Sequence, residues 1–101
     1  MRIDKYLWCV RVFKTRSLAT DACKKEEVLL NGKVPKPSQK VTEGDVIDVR
    51  KAPIWRKYKV LNVIDKRVGA PLVEENLEEI TTKEELDKLN EYIEEKRFYL
   101  K

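Results

Sequence analysis

Apolar residues near the start of the chain recur at helical spacing. Ile3, Leu7 and Val10 follow the i, i+4, i+7 pattern, and Tyr6 widens the same stripe. Asp4, Lys5 and Trp8 lie on the other side. Such a stripe lets one face of a helix pack against a core while the opposite face stays in water. The pattern predicts an amphipathic helix over residues 2–13.

A second helix is predicted after a polar break. Thr15 or Ser17 can cap it, because a hydroxyl at that position accepts a hydrogen bond from an unpaired backbone N–H. The helix is expected to run to about Lys25. Its apolar face is narrow and made of small residues, namely Leu18, Ala19, Ala22 and Cys23. Small side chains let two helices approach closely, so this face suits packing against another helix.

The spacing of apolar residues changes from helical to extended after residue 27. Short strands are predicted at 28–30, 46–49 and 58–63. Asn31-Gly32 is a strong turn signal and predicts a hairpin after the first strand. Pro35 and Pro37 prevent a long regular strand beyond that turn.

A terminal helix is predicted over residues 83–101. Thr82 and Glu85 match a capping box, in which the threonine bonds forward and the glutamate reaches back. Leu86, Leu89 and Ile93 form one apolar stripe. We expect this stripe to pack against the small sheet; the alternative is a surface that docks another protein.

The order of elements (helix, helix, short strands, helix) predicts a small α+β domain. Residues 66–75 have an ambiguous pattern, although Pro71 can open a short helix there. A chain of 101 residues suits one domain with a small core.

Charge is distributed unevenly along the chain. Residues 1–40 contain ten Lys or Arg against four Asp or Glu, a net charge of +6. Residues 41–70 carry +3 and residues 71–101 carry −5, which gives the overall +4. A basic body with an acidic end indicates a polyanionic partner. The alternative is that these charges only solvate the surface.

Several function classes are not expected from the composition. The chain has no histidine, which removes the commonest metal ligand and general base. Cys9 and Cys23 are too few for a zinc site, and we expect both to be reduced and buried. Asp4 is interpreted as a structural partner of an arginine such as Arg16. We therefore expect no catalysis, metal or cofactor, no membrane partner, and a cytoplasmic location.

Cationic and hydrogen-bonding side chains gather at the break and at the Asn-Gly turn. They are Arg2, Lys5, Arg11, Lys14, Thr15, Arg16 and Ser17, then Asn31, Lys33, Lys36, Ser38 and Lys40. The N-terminus of the second helix suits a phosphate, which Arg16 can bind with two parallel N–H donors. Asn31 is foremost a turn residue. Trp8 either stacks on a base or belongs to the packing. A groove lined in this way would bind a nucleic-acid backbone.

Several motifs together resemble, in order and spacing, the S-four RNA-binding domain, also called the α-L motif. They are Arg2–Trp8, Arg11, Lys14–Ala19, Val28–Gly32, Lys36–Ser38 and Gly44–Ile47, which cover roughly residues 1–50. The resemblance implies two N-terminal helices packed on a small, mainly antiparallel sheet, with a C-terminal helix added. It implies an S-four domain over residues 1–65 and an extension over 66–101 whose acidic helix packs on the same domain.

Trp8, Lys-Thr-Arg-Ser and Lys-Pro-Ser are most similar to a stand-alone branch of this family, the small ribosome-associated heat-shock proteins. The branch implies a non-enzymatic protein that binds structured RNA, and we expect a monomer. Its targets would be large-subunit ribosomal RNA and tRNA, in recycling or quality control after stalled translation. The family's RNA contacts would map to Arg2, Lys5, Arg11, Lys14, Thr15, Arg16, Ser17, Asn31, Lys33, Lys36 and Ser38. Two alternatives are an RNA-binding module that serves a separate RNA-modifying enzyme and a protein-interaction domain.

The chain departs from the family pattern in two places. The family usually has a glycine just before the first strand, where this chain has Lys25-Glu26-Glu27. A left-handed residue after a helix favours glycine, so we expect either strain at Glu26 or a different turn. The heat-shock branch often ends in a basic tail, whereas an acidic-faced helix is predicted here over Lys83–Lys101.

Overall fold

Four antiparallel strands and four helices form one α+β fold, which confirms the predicted class. The computed structural model of the protein describes residues 1–99, with side chains as far as Arg97. The elements are α1 (Ile3–Cys9), α2 (Arg16–Lys24), β1 (Val28–Leu30), β2 (Val46–Lys51), β3 (Ile54–Val60), α3 (Val73–Asn76), β4 (Leu77–Glu79) and α4 (Lys83–Tyr99). The last two residues of the predicted terminal helix, Leu100 and Lys101, lie outside the described residues.

The core lies between the first two helices and one face of the sheet. Its buried members are Ile3, Tyr6, Leu7, Val10, Ala19, Ala22, Cys23, Val28, Val41, Ile47, Val49, Val60 and Leu77. Cys9 and Cys23 are both buried and reduced, as expected from the sequence. Burial raises the pKa of the Cys23 thiol to about 11, so this cysteine stays protonated.

Helix α1 is shorter than predicted from its apolar stripe: it ends at Cys9 and not at Phe13. Arg11 adopts a left-handed backbone with φ 63°. The N–H of Arg11 then bonds the carbonyl of Trp8 at 3.1 Å, and that of Val12 bonds Leu7 at 3.0 Å. This pattern of two bonds is a Schellman motif, which satisfies the last carbonyls of a helix. The apolar spacing continues into residues that pack on the core without being helical.

Helix α2 follows its prediction closely. Thr15 caps it, with the side-chain oxygen accepting from the N–H of Leu18 at 3.1 Å. The helix ends in a second Schellman motif, in which Glu26 takes φ 60° and the N–H of Glu27 bonds the carbonyl of Ala22 at 2.9 Å. Glu26 therefore occupies the left-handed position where the family usually has glycine. A glutamate there costs on the order of 1 kcal/mol relative to the right-handed region.

The sheet differs from the predicted strands in pairing and length. Its order is β1-β2-β3-β4, so β1 pairs with β2 and not with the segment after Asn31-Gly32. The predicted Asn-Gly hairpin is reduced to a tight turn closed by a single bridge between Leu30 and Lys33. Strand β3 begins at Ile54 and ends at Val60, so the predicted range 58–63 was too late. The residues that follow Ile54 are aromatic or cationic (Trp55, Arg56 and Lys57), so apolar spacing did not mark the start of the strand.

The chain after residue 65 adds to the same sheet and core. Pro71 opens a 3₁₀ turn that continues into α3, as the sequence allowed. Strand β4, which the sequence did not predict, pairs with β3 and buries Leu77 opposite Val60. The hydroxyl of Tyr6 donates to the buried carbonyl of Asn76 at 2.9 Å. These contacts join the first helix to a segment seventy residues away.

Helix α4 is held mainly at its first turn. Thr82 caps the N–H of Glu85 at 3.3 Å, but the Glu85 carboxylate accepts from the N–H of Trp55 at 3.3 Å instead of reaching back. A hydrogen bond from Lys88 holds the pKa of Glu85 below its usual value. Leu86 and Ile93 keep 37% and 42% of their surface exposed, so the predicted apolar stripe is not buried as a row. None of the described helices is long and apolar enough to span a bilayer.

Candidate nucleic-acid interface

A buried carboxylate, Asp4, lies between two arginines of the predicted RNA-binding set. Asp4, in the first turn of α1, has a side chain only 2% exposed. It accepts from both Nε and Nη2 of Arg2, at 3.2 and 3.0 Å, and from the Thr20 hydroxyl at 3.0 Å. Nη2 of Arg16 lies 3.7 Å from Oδ1 of Asp4, at ion-pair distance. The expected pairing of Asp4 with Arg16 is confirmed, and Arg2 is an even closer partner.

This Asp4 cluster (Arg2, Asp4, Arg16 and Thr20) fixes two guanidinium groups while leaving them accessible. The side chains of Arg2 and Arg16 remain 50% and 45% exposed. Two positive charges share one negative charge, so the cluster keeps a net positive charge. Two hydrogen bonds orient Arg2, and an ion pair keeps Arg16 beside the same carboxylate, so less side-chain entropy is lost when an anion binds them.

The N-terminus of α2 adds backbone donors beside this cluster. Arg16 and Ser17 are the first two helical residues, whose N–H groups precede any intrahelical acceptor. The third N–H is already capped by Thr15, so the Thr15 side-chain oxygen is partly used within the fold. The positive end of the helix dipole and the Arg16 guanidinium together favour an anion such as a phosphate.

The loop over residues 35–40, here called the proline loop, lies directly against the start of α1. The N–H of Ile3 bonds the carbonyl of Gln39 at 2.8 Å, and an isolated bridge joins Arg2 to Lys40. Lys36 and Ser38, on the same loop, are exposed. The structure therefore brings this loop alongside the Asp4 cluster, although more than thirty residues separate it from Arg2 and Asp4 in sequence.

The side chain of Asn31 stabilises its own turn instead of being available to hydrogen-bond a base. The Asn31 amide donates to Asp45 at 3.1 Å and accepts from the N–H of Val46 at 2.9 Å, and its φ is 51°. Both ends of the amide are thus engaged in holding the turn. Lys33 and Gln39 line one shallow cleft of about 420 Å³ beside it. The turn and the proline loop therefore share a concave surface.

The remaining predicted contacts lie along α1 and in the break after it. Lys5 is half-buried on α1, and Lys14 is exposed just before α2. Arg11 lies beyond the end of α1, with Nη1 3.5 Å from the carbonyl of Val68. A seven-residue helix is about 10 Å long, so Arg11 is at the opposite end of α1 from Arg2.

Lys51 and Arg67 contact this surface, and the sequence did not single them out. Nζ of Lys51 donates to the carbonyl of Val12 at 2.8 Å and lies 4.3 Å from the Phe13 ring centroid, which fixes the break before α2. Burial lowers the pKa of Lys51. Arg67 lies over the ring of Trp8. No local pattern links these pairs, because between 38 and 59 residues separate them in sequence.

No cluster of three or more potential metal ligands occurs within residues 1–99. Burial raises the pKa of both cysteine thiols. Burial, together with the nearby charge of Asp4, raises the pKa of Cys23. The described surface therefore offers arginine and lysine side chains and backbone N–H donors, which suit a polyanion.

Comparisons with known proteins identify relatives over most of the chain. A family model for the S4 domain matches residues 1–47. A heat shock protein 15 homolog of Aeromonas salmonicida is 40% identical over 98 residues, covering 97% of this chain and 73% of that protein. An RQC P-site tRNA stabilizing factor of Helicobacter pylori is 44% identical over 63 residues, covering 62% of this chain and 75% of that factor.

Solved structures with the same fold also match. Heat shock protein 15 of Vibrio cholerae, described as trimeric, superposes with a TM-score of 0.77 at 34% identity and 87% coverage of both chains. A hypothetical protein with a solution structure superposes with a TM-score of 0.70 at 33% identity. That match covers 82% of this chain and all of the other.

Proposed function

Because the chain belongs to the S4 domain family, with heat shock protein 15 and the RQC P-site tRNA stabilizing factors among its relatives, we propose that it is a stand-alone RNA-binding factor. Its targets are structured RNA of the large ribosomal subunit and tRNA. Its role is recycling or quality control after stalled translation. It acts as an adaptor rather than an enzyme.

One observation carries this proposal, namely the Asp4 cluster beside the N-terminus of α2. Two guanidinium groups are held on one buried carboxylate at 3.0 and 3.7 Å, and each remains about half exposed. A pair of arginines held on one carboxylate, next to free backbone N–H groups, offers the positive charge and the donors that a sugar-phosphate backbone requires. The adjoining proline loop supplies Lys36, Ser38 and Lys40 to the same surface.

The biological role rests on the names of the relatives. Several are called RQC P-site tRNA stabilizing factors, including one of Listeria monocytogenes that is 33% identical over 97 residues. Stabilising a tRNA on a ribosome requires contacts with RNA backbone, which the Asp4 cluster can supply. A factor of this kind works where ribosomes are, so we expect it in the cytoplasm.

Sedimentation with ribosomes tests the proposal. In cells whose translation has been stalled with an antibiotic, the chain should sediment with large ribosomal subunits on a sucrose gradient at low salt. Arg16→Gln should move much of the protein to the top of the gradient, because a good charged contact to RNA contributes about 1–3 kcal/mol. Arg97→Gln, which removes an exposed cation from the last turn of α4, is the matched control and should sediment like the wild type.

A specific result would contradict the ribosomal role. If the wild-type chain stayed at the top of the gradient at low salt and after stalling, the ribosomal role would be wrong. Co-purification with an RNA-modifying enzyme instead would favour the module alternative.

We also expect the chain to be a monomer, whereas its Vibrio cholerae relative is described as trimeric. Light scattering of the purified chain measures this directly.

A further inference from the structure

A short segment after the sheet docks onto the C-terminal end of α1. The N–H of Val68 bonds the carbonyl of Cys9 at 3.1 Å. Nε of Arg67 bonds the carbonyl of Trp8 at 3.2 Å, and Nη1 of Arg11 reaches the carbonyl of Val68 at 3.5 Å. The segment thereby places an arginine on a helix that already carries part of the RNA-binding surface, although the S4 match ends at residue 47.

The guanidinium of Arg67 is held in one orientation. Its Cζ lies 5.6 Å from the centre of the Trp8 ring, within the range of a cation–π contact. Its Nε is used in the bond to the Trp8 carbonyl. Among the residues that the structure describes, none forms a hydrogen bond or ion pair with its Nη1 or Nη2. One edge of a rigid, planar cation is therefore available.

Arg67 shares its surroundings with cations of the Asp4 surface. Burial raises the pKa of Cys9, the negative charge of Asp65 adds to that increase, and the positive charges of Lys5, Arg16 and Arg67 act against it. Arg16 and Arg67 thus lie within electrostatic range of the same buried thiol. Arg67 also contacts the end of the helix whose first turn carries Asp4.

We propose that Arg67 binds a phosphate of the same RNA through its free Nη edge, with Trp8 as the residue that positions it. This inference rests on the proposed function, because it extends the RNA-binding surface from residues 2–40 to the segment after the sheet. A guanidinium fixed by stacking can offer two parallel donors to a phosphate, whereas a lysine offers a single point charge. It also gives Trp8 a role other than stacking on a base.

The alternative is that Arg67 only fastens the segment to α1. That role needs the single Nε bond and no ligand, and the Val68–Cys9 bond already supplies a backbone attachment. Substitutions at Arg67 separate the two roles. Arg67→Lys keeps a positive charge but loses the planar fork. Arg67→Met keeps much of the packing and removes the charge.

The test measures the dissociation constant for purified bacterial large ribosomal subunits. Arg67→Met should weaken binding about 5- to 50-fold, as expected for one good phosphate contact. Arg67→Lys should fall between Arg67→Met and the wild type. Lys66→Met is the matched control, because Lys66 is an exposed neighbouring cation, and it should bind within about 2-fold of the wild type. Thermal unfolding identifies any variant that is not folded at the assay temperature.

A double-mutant cycle with Trp8→Leu tests the positioning role. Trp8→Leu should weaken binding in the wild-type background and add little in the Arg67→Met background, because both changes remove the same contact. The proposal is overturned if Arg67→Met binds like the wild type, if Lys66→Met loses as much, or if the losses of Trp8→Leu and Arg67→Met multiply.

Arg16→Gln in the same series separates this inference from the proposed function. If Arg16→Gln binds weakly while Arg67→Met binds normally, only the Arg67 contact is wrong. If the wild type does not bind the subunits, both proposals fail.

Discussion

The Asp4 cluster and helix α4 are both rich in charge, but they are built differently. In the cluster, a carboxylate that is 2% exposed holds two arginines in fixed positions. In α4, the ion pair of Lys88 with Glu85 is exposed and spans one helical turn. Such surface pairs contribute little, whereas a buried carboxylate with several donors determines where its partners lie. The number of charges in a segment therefore says less about a binding site than the burial of the group that fixes them.

Among substitutions of charged and polar side chains, removing the buried carboxylate should produce the largest effect. Asp4→Ala leaves Arg2, Arg16 and the Thr20 hydroxyl without their shared acceptor, so we expect unfolding free energy to fall by roughly 2–3 kcal/mol. Binding to large ribosomal subunits should also weaken where the variant is still folded, because the two guanidinium groups are no longer oriented. Urea unfolding and a binding titration measure the two effects separately.

Asp48→Ala is the control for that comparison. Asp48 pairs with Lys57 at 3.8 Å on the sheet and is more exposed than Asp4. Its removal should cost less than about 1 kcal/mol and leave RNA binding unchanged. Equal losses for Asp4→Ala and Asp48→Ala would mean that burial does not distinguish the two carboxylates.

Tyr6→Phe should produce an intermediate effect. It removes the 2.9 Å bond from the Tyr6 hydroxyl to the carbonyl of Asn76. That carbonyl still accepts from the N–H of Leu61 at 2.9 Å, so no buried acceptor is left unpaired. We expect a loss of about 1 kcal/mol in urea unfolding, with RNA binding unchanged. A loss several times larger would show that this bond, rather than the sheet, joins the two ends of the chain.

Substitution in α4 should produce the smallest effect. Ile93→Ser removes an apolar side chain that is already 42% exposed, so unfolding free energy should change by less than about 0.5 kcal/mol. Ile47→Ala, at a fully buried position of β2, is the contrasting variant and should cost roughly 2–5 kcal/mol. If Ile93→Ser destabilised the protein as much as Ile47→Ala, α4 would be part of the core.

Local patterns predicted the elements that are stabilised locally. The Thr15 cap, the strand at 28–30 and the Asn31 turn were all readable, because each depends on residues within a few positions. The end of α1 was not, since Arg11 adopts a left-handed backbone that its side chain does not favour. Strand β4 was also missed, because three residues with one buried leucine carry no alternation that could be recognised.

The candidate site was predictable in composition but not in construction. The cationic residues were identified from the sequence, and so was the pairing of Asp4 with Arg16. The bidentate contact of Arg2 with Asp4 is local, but the sequence pattern did not single it out. The contact of the Thr20 hydroxyl with Asp4 and the packing of the proline loop against Ile3 depend on tertiary structure. Asn31 has its side chain committed to the turn, and Arg67 approaches α1 from beyond the sheet. The assignment of the cationic residues, Asn31 and Arg67 as RNA contacts remains a prediction, which binding experiments can test.

The salt dependence of binding tests the central claim most directly. The dissociation constant for large ribosomal subunits should be measured across a series of KCl concentrations for the wild type, Arg16→Gln and Arg97→Gln. We predict that Arg16→Gln weakens binding and lowers the slope of log affinity against log salt by about 1, as the loss of one phosphate contact requires. Arg97→Gln should leave both unchanged. Equal effects of the two substitutions, or none, would contradict the claim that the Asp4 cluster grips the RNA backbone.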